Sequence, residues 1–315
     1  MRPSSTAPDR PSPARVRALY AMLTLVMLLW AGNSMVARAV HAEIPPFALA
    51  LGRWSGALLV VAPFAWRRVI ADWPVVRQHW GKILLLGLIG IGAFNALLYS
   101  GLRYTTATNG LLIQAAIPAL VLCFDGLLFK ARPRAAQIAG VSIAAIGVLT
   151  IILKADPAAL LSLSFNIGDV LVLCAVLAWS LYTALLRLRP PIDPLSFLAL
   201  TFAIGVLAML PFAIAELRSF PLHFTPRVLG AYAYVALLPS VVAYFLYNKA
   251  VGELGAGAAG QVISLQPLFG ALLAVPLLGE ALHGYHLAGM AIILAGILIP
   301  AMAGRRRSRQ ATASP

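Results

Sequence analysis

At 315 residues the chain has room for two soluble domains, but 61% of its residues are hydrophobic and only 11% are charged, against about a quarter charged in ordinary globular proteins. A soluble protein of this make-up would precipitate, a disordered one could not stay solvated, and two cysteines cannot staple a disulfide scaffold. What remains is a polytopic membrane protein: at about 20 apolar residues per helical crossing, the length accommodates about ten crossings and no separate soluble domain.

Ten apolar runs bounded by charged, Pro or Gly residues follow in chain order: 16–39, 45–66, 81–102, 105–129, 135–153, 168–188, 194–217, 226–251, 257–278 and 284–303. Backbone groups cannot stay unpaired in lipid, so each run is expected to be a helix. The first run is too long for the apolar part of a secretory signal and ends without a small-residue cleavage site, so it reads as a retained span.

The net charge of +14 would suggest a nucleic-acid partner for a soluble chain. In a membrane protein it reports topology instead, because Lys and Arg collect in cytoplasmic loops, and no nucleic-acid partner is expected. Alternate segments place Arg2, Arg10, Arg15, Arg17, Arg67, Arg68, Arg77, Lys82, Lys130, Arg132, Arg134, Arg187, Arg189, Lys249, Arg305, Arg306, Arg307 and Arg309 on one side. The other side holds Arg38, Arg103, Lys154, Arg218 and Arg227. A bias of 18 to 5 predicts a multi-pass protein of the bacterial inner membrane with both termini cytoplasmic. Arg53 is left over, deep inside a span and away from its ends, and completes the 24 basic residues.

The chain also repeats itself at a constant offset of 149 residues. Trp30 meets Trp179, Arg38 meets Arg187, Pro45 meets Pro194, Gly56 meets Gly205, Pro118 meets Pro267, Gly140 meets Gly289 and Gly147 meets Gly296. Five spans per repeat is an odd number, so the second half enters the membrane from the opposite side. The predicted fold class is therefore an all-α membrane protein of ten transmembrane helices in two inverted five-helix repeats. Folds of this kind hold a substrate between the halves near the bilayer midplane and rock around it.

The run Trp30-Ala-Gly-Asn33, Arg53 in the second span, Pro118 in the fourth, Pro267 in the ninth followed by Leu277-Leu-Gly-Glu280, and the Gly289 to Gly296 spacing carry a resemblance. Over residues 16–303 the sequence resembles the drug/metabolite transporter superfamily, and within it the EamA-type ten-helix exporters. The resemblance implies a cytoplasmic tail at 1–15, a first EamA-like repeat at 16–154, a periplasmic linker at 155–166, a second repeat at 167–303 and a basic cytoplasmic tail at 304–315. It also implies export, with amino acids and related metabolites as substrates. One departure is that Glu280 meets Ala131, in Phe129-Lys-Ala-Arg132, where relatives carry an acid followed by Arg. A role needing a symmetric acidic pair is thereby weakened. The four-helix multidrug members rely on a membrane-embedded Glu in the first span, which here contains no acid. Their proton exchange therefore does not transfer, and facilitated diffusion or exchange stands beside proton coupling.

Arg53 lies about 12 Å inside the second span, where a charge is costly unless it finds partners or water. It reads either as an anchor for a substrate carboxylate or gate member, or as a structural arginine capping carbonyls of a neighbouring helix. Asn95 and Tyr99, and Tyr244 and Asn248, sit four apart on equivalent helices, so each pair shares a face. A cavity with aromatic walls and a few hydrogen-bonding groups suits a small organic solute. The alternative is interhelical bonding and interfacial anchoring, which fits Tyr247 best. Trp30 with Asn33, and Trp179 with Tyr182, repeat the same logic at a spacing of three; as tryptophans near span ends they also fit an interfacial belt. Gln114, Gln261, Ser264 and Gln266 add polar groups around Pro118 and Pro267, which read as hinges or as simple kinks.

Asp125 is the acid clearly inside a span, within reach of Lys130 or surface water, and is a candidate for energy coupling. Asp169 is explained by the N-terminus of the sixth helix. Cys123 and Cys174 act as small apolar residues, the five histidines sit in loops or at helix ends, and Gly140, Gly147, Gly289 and Gly296 suggest close helix packing. No catalytic nucleophile with its base and no metal cluster lies at depth, so neither an enzyme activity, a cofactor nor a metal is expected. The partners expected are a small-molecule substrate and the lipid bilayer; monomer and homodimer both fit. The sequence thus predicts a secondary transporter working by alternating access. A multidrug or cation efflux transporter is the main rival, and a membrane-integral enzyme the remote one.

Overall fold

The computed structural model describes residues 12–102, 104–105, 110, 113–156, 158, 166–220, 222–278 and 283–312, with the backbone alone at 38, 274, 277–278 and 300–312. Among these residues there is no strand. The helix starts follow capping chemistry. Ser12 accepts from the Arg15 amide ahead of α1 (Pro13–Ala39), and Pro46 opens α2 (Pro46–Gln78). The third span is α3 (Trp80–Gly87), a π-helical turn at Leu88–Ala93 and α4 (Phe94–Leu102). Then come α5 (Ile117–Phe129) and α6 (Ala135–Ile152).

The second repeat opens with α7 (Ile167–Leu185), capped by Asn166, whose own amide donates to Asp169 at 2.7 Å. This capping box accounts for Asp169 structurally. Next are α8 (Pro194–Leu217), α9 (Pro226–Ala236), a second π-helical turn at Leu237–Val242 and α10 (Ala243–Leu254). The ninth span is two short helices, α11 (Ala256–Val262) and α12 (Leu265–Leu278), and α13 (Gly284–Thr312) closes the chain. Among the described residues eight helices are long and apolar enough to cross a membrane, and Ile117–Phe129 and Gly284–Ile299 are shorter apolar helices. Together they make the ten spans of the sequence.

The two repeats share backbone irregularities that no single residue announces. The π turns at Leu88–Ala93 and Leu237–Val242 are separated by the same 149 residues as the sequence repeat. Packing is paired too: α1 packs on α10 and α12, while its counterpart α7 packs on α4 and α5. At the crossing of α6 and α13 a Cβ on Gly147 would lie 2.7 Å from the Gly289 carbonyl, and one on Gly296 would lie 2.6 Å from the Gly140 carbonyl. Only glycine permits this approach of two backbones, as the spacing suggested. Large apolar side chains such as Leu59, Leu127 and Leu207 point outward, where lipid replaces water as their solvent.

The second span runs on to Gln78 rather than stopping near Trp66, because Arg67 and Arg68 end the lipid-facing stretch without breaking the helix. The mid-span prolines break helices just ahead of themselves. Turns at 115–116 and 263–264 precede Pro118 and Pro267, each of which occupies the first turn of a new helix, where its missing N–H costs nothing. Hereafter the face from which α1 starts is called proximal and the opposite face distal.

Candidate functional site

A π turn shifts the hydrogen-bond ladder, and Pro239 inside the second one also lacks an amide proton. The Val235 carbonyl that Pro239 leaves free is taken by the Ser240 hydroxyl at 2.7 Å. Around this point the centre of the molecule is organised. The Pro239 carbonyl accepts Trp30 Nε1 at 3.0 Å and Arg53 Nη2 at 3.2 Å, and Arg53 Nε donates to Ser240 Oγ at 2.6 Å. At the equivalent position of the first repeat, the Gly90 carbonyl accepts the Tyr244 hydroxyl at 3.3 Å. Each π turn thus receives a ring donor from the other repeat.

Arg53 is 6% exposed, lies 4.5 Å from the Trp54 ring, and bonds to neutral oxygens; no carboxylate pairs with it among the described residues. A cation buried with neutral partners keeps most of its unbalanced charge. Its hydrogen bonds match the structural alternative of an arginine capping a neighbouring carbonyl.

Aromatic rings enclose this centre. Trp30 meets Trp179 at 5.2 Å edge to face and Tyr247 at 5.1 Å; Trp179 meets Phe94 at 5.0 Å and Tyr182 at 5.3 Å. Trp54 meets Tyr244 at 5.2 Å and Phe202 at 5.3 Å. Trp30 and Trp179 are therefore core residues and not an interfacial belt. Two donors in the same cluster, Trp54 Nε1 and Asn248 Nδ2, are buried without a partner.

Toward the proximal face the cluster is tied shut. The Tyr182 hydroxyl donates to Asn248 Oδ1 at 3.0 Å, and the hydroxyls of Thr183 and Tyr247 bond at 3.0 Å. Asp125 forms an ion pair with Arg187, whose guanidinium also covers the Phe129 ring at 4.2 Å. Two expectations are corrected here. Asp125 pairs with Arg187 on the sixth span and not with Lys130, which takes a left-handed cap conformation after α5. Tyr247 is fully buried and makes the interhelical bond expected of it, but it is not the interfacial anchor also expected.

Toward the distal face the helices separate around a cavity of about 250 Å³. Ser34 and Met35 of the first span, Gln114 and Pro118 of the fourth, Ile151 of the fifth, and Ser264, Pro267 and Gly270 of the ninth line it. The candidate residues therefore fall into two groups. Trp30, Arg53, Trp179, Tyr182, Tyr244 and Asn248 form the closed cluster, whereas Gln114, Ser264, Pro118 and Pro267 line the cavity, with the first span between them. Asn33 and Tyr99 are half-buried. Asn95 and Gln261 join neither group by their bonds: Asn95 Nδ2 donates to the Ile91 carbonyl of its own span at 2.6 Å, and Gln261 Nε2 to the Gly296 carbonyl at 2.8 Å.

Sequence reasoning passed over Trp54, Thr183, Phe202, Pro239 and Ser240. Pro239 carried a legible signal, a proline in mid-span, and Thr183 follows Tyr182 directly; Trp54 and Phe202 had none beyond being aromatic. Glu280, Arg2, Arg10 and Arg103 lie outside the described residues.

Inverted repeats, helices broken at mid-membrane and a polar centre beside a cavity define a multi-pass membrane transporter. Residues 18–153 and 166–301 each match the EamA-like transporter family, and the chain belongs to that family. It is 29% identical over 282 residues to an uncharacterized transporter of Archaeoglobus fulgidus, spanning 89% of this chain and 96% of that one. It is 26% identical over 290 residues to a probable amino-acid metabolite efflux pump of Salmonella typhimurium, spanning 87% and 92%. A solved crystal structure shares the fold at a TM-score of 0.76 and 18% identity, covering 92% of this chain and 98% of that one.

Proposed function

We propose that this transporter exports small amphipathic metabolites that carry a carboxylate, amino acids and their relatives foremost, across the bacterial inner membrane by alternating access, with both chain termini cytoplasmic. The observation that carries this reading is Arg53, a buried cation with neutral partners inside an aromatic cluster. A carboxylate reaching the guanidinium gains a charge-assisted bond, and the rings offer the remainder of an amphipathic solute a face to stack on. The unpartnered donors of Trp54 and Asn248 favour an acceptor-rich ligand for the same reason. The probable amino-acid metabolite efflux pump among the relatives supports the same solute class and direction.

Energy coupling through Asp125 belongs to this proposal. Its ion pair joins the fourth and sixth spans at the proximal face, so a proton arriving on the carboxylate would release that joint. The test is purified protein in liposomes given labelled amino acids, nucleosides and hydrophobic cations, with and without a pH gradient. Amino-acid flux that collapses in Arg53→Ala supports the reading. Flux of hydrophobic cations that survives Arg53→Ala and is lost in Asp125→Asn overturns it in favour of multidrug efflux. Flux indifferent to the gradient removes coupling through Asp125 and leaves facilitated diffusion or exchange.

A further inference from the structure

The inverted repeat gives every side chain a counterpart on the other side of the membrane, and several counterparts differ in exposure. Tyr182 is buried and corresponds to half-buried Asn33; Asn248 is buried and corresponds to half-buried Tyr99. Thr183 is 0% exposed, whereas its counterpart Ser34 is exposed and lines the distal cavity. Ala184 is 0% exposed and its counterpart Met35, though buried too, borders that cavity. The proximal half of the molecule is thus held in a closed arrangement and the distal half in an open one.

The chemistry of the closed half is a tyrosine hydroxyl bonded to an asparagine carbonyl between the sixth and eighth spans. The open half carries the same two residue types with their positions exchanged: asparagine on the first span and tyrosine on the third. Among the described residues no hydrogen bond joins them. A repeat that preserved only apolar packing would have no reason to keep one tyrosine and one asparagine at both ends.

We propose that Asn33 and Tyr99 are the distal latch of this transporter, the counterpart of the proximal latch Tyr182–Asn248. The two bonds form alternately. In the other end state the Tyr99 hydroxyl donates to the Asn33 side chain and seals the distal cavity, while Tyr182 and Asn248 part and open a proximal cavity beside Thr183 and Ala184. Substrate then meets one closed and one open latch in either state. The π turns suit this motion. Gly90 faces Tyr182 so closely that a Cβ there would lie 2.4 Å from the ring, so the proximal latch bears on a π turn where the helix ladder is already relaxed, and the second π turn occupies the equivalent place in the repeat. The inference rests on alternating access and assigns its gates; it does not depend on which solute is carried.

The test reads side-chain accessibility, with no substrate needed. In protein carrying Cys123→Ala and Cys174→Ala, Ser34→Cys reports the distal opening and Ala184→Cys the proximal one, through rates of reaction with a membrane-impermeant thiol reagent. Tyr182→Phe removes the proximal bond and is expected to slow labelling at Ser34→Cys and speed it at Ala184→Cys, so that the ratio of the two rates changes about fivefold, the shift in the equilibrium that losing one such bond produces. Adding Tyr99→Phe to Tyr182→Phe weakens both states alike and is expected to restore both rates. Asn248→Ala and Asn33→Ala give the same pair of results without touching a tyrosine. Unchanged rates in Tyr182→Phe and Asn248→Ala, or failure of the second substitution to restore them, overturn the latch. If this cycle succeeds while the liposome panel moves no amino acid, the solute assignment fails and the gates stand; the converse pair of results removes the gates and keeps the solute.

Discussion

The proximal and distal halves of the molecule are built from the same backbone plan and end in different states. Both have a π turn in the third helix of the repeat, a broken fourth helix and a glycine-lined fifth. Yet the proximal half buries Tyr182, Thr183 and Ala184, and the distal half exposes Ser34 around a cavity. Backbone symmetry with unequal burial is what the proposed alternating access expects of one end state, with the shared elements as the plan and the differences as its position.

The largest expected effect comes from the residue that belongs to one repeat alone. Arg53 corresponds to Phe202, so the positive charge at the centre has no twin. Arg53→Ala removes two bonds, while Trp30 still reaches the Pro239 carbonyl and Ser240 still donates to the Val235 carbonyl. Transport of carboxylated solutes is expected to fall by about 10- to 100-fold, the range for a charge-assisted hydrogen bond, and Arg53→Lys should recover part of it. Equal losses for neutral and carboxylated solutes would mean that Arg53 only holds the eighth span in place.

The glycine crossing tests the shared part of the plan. Gly147→Val and Gly296→Val each push a side chain into backbone atoms of the facing helix, the first nearest the Gly289 carbonyl and the second against Ala144 and Gly140. Each should cost about 1–3 kcal/mol by overpacking, read as a lowered midpoint of thermal unfolding in detergent. Because the two positions are repeat counterparts, the losses should match. A loss at one position alone would show the crossing to be less symmetric than its contacts.

How far the sequence reached is clear from these same residues. The offset of 149, the ten spans and the crossing glycines were all legible, because lipid leaves so few ways to satisfy a backbone that Pro, Gly and charge spacing carry most of the fold. Of the central cluster, some members were legible in the sequence and their grouping was not. Trp30, Arg53 and Tyr244 could be named from residue type and depth, but their meeting point is a carbonyl, Pro239, that a π turn exposes, and a backbone carbonyl has no signature in sequence. Asp125 illustrates the other limit. Sequence proximity offered Lys130, whereas the partner is Arg187, brought in by a neighbouring span.

Gly270 probes the unequal part. It lines the distal cavity with no atom within 4 Å of a Cβ placed on it, and its counterpart Val121 is fully buried. Gly270→Leu should therefore fit without loss of thermal stability while filling much of the open side. Transport is expected to drop several-fold, and Gly270→Ala, which fills little and favours the helix by about 0.5–1 kcal/mol, should leave both transport and stability at least at the starting level. Unimpaired transport in Gly270→Leu would place the solute path elsewhere.

The smallest effect belongs to the ion pair that reinforces the proximal closure. Asp125 corresponds to Ala274 in the sequence, so the distal half has no equivalent carboxylate. Its side chain is 14% exposed and that of Arg187 38%, near enough to solvent that the pair contributes at most about 1 kcal/mol. Asp125→Asn should therefore speed proximal labelling at Ala184→Cys by less than Tyr182→Phe does, about two- to threefold, and added salt should shrink the difference by screening. A larger shift than that of Tyr182→Phe would make the ion pair, and not the tyrosine and asparagine, the principal closure of the proximal face, and would break the correspondence between the two latches on which the comparison of the halves depends.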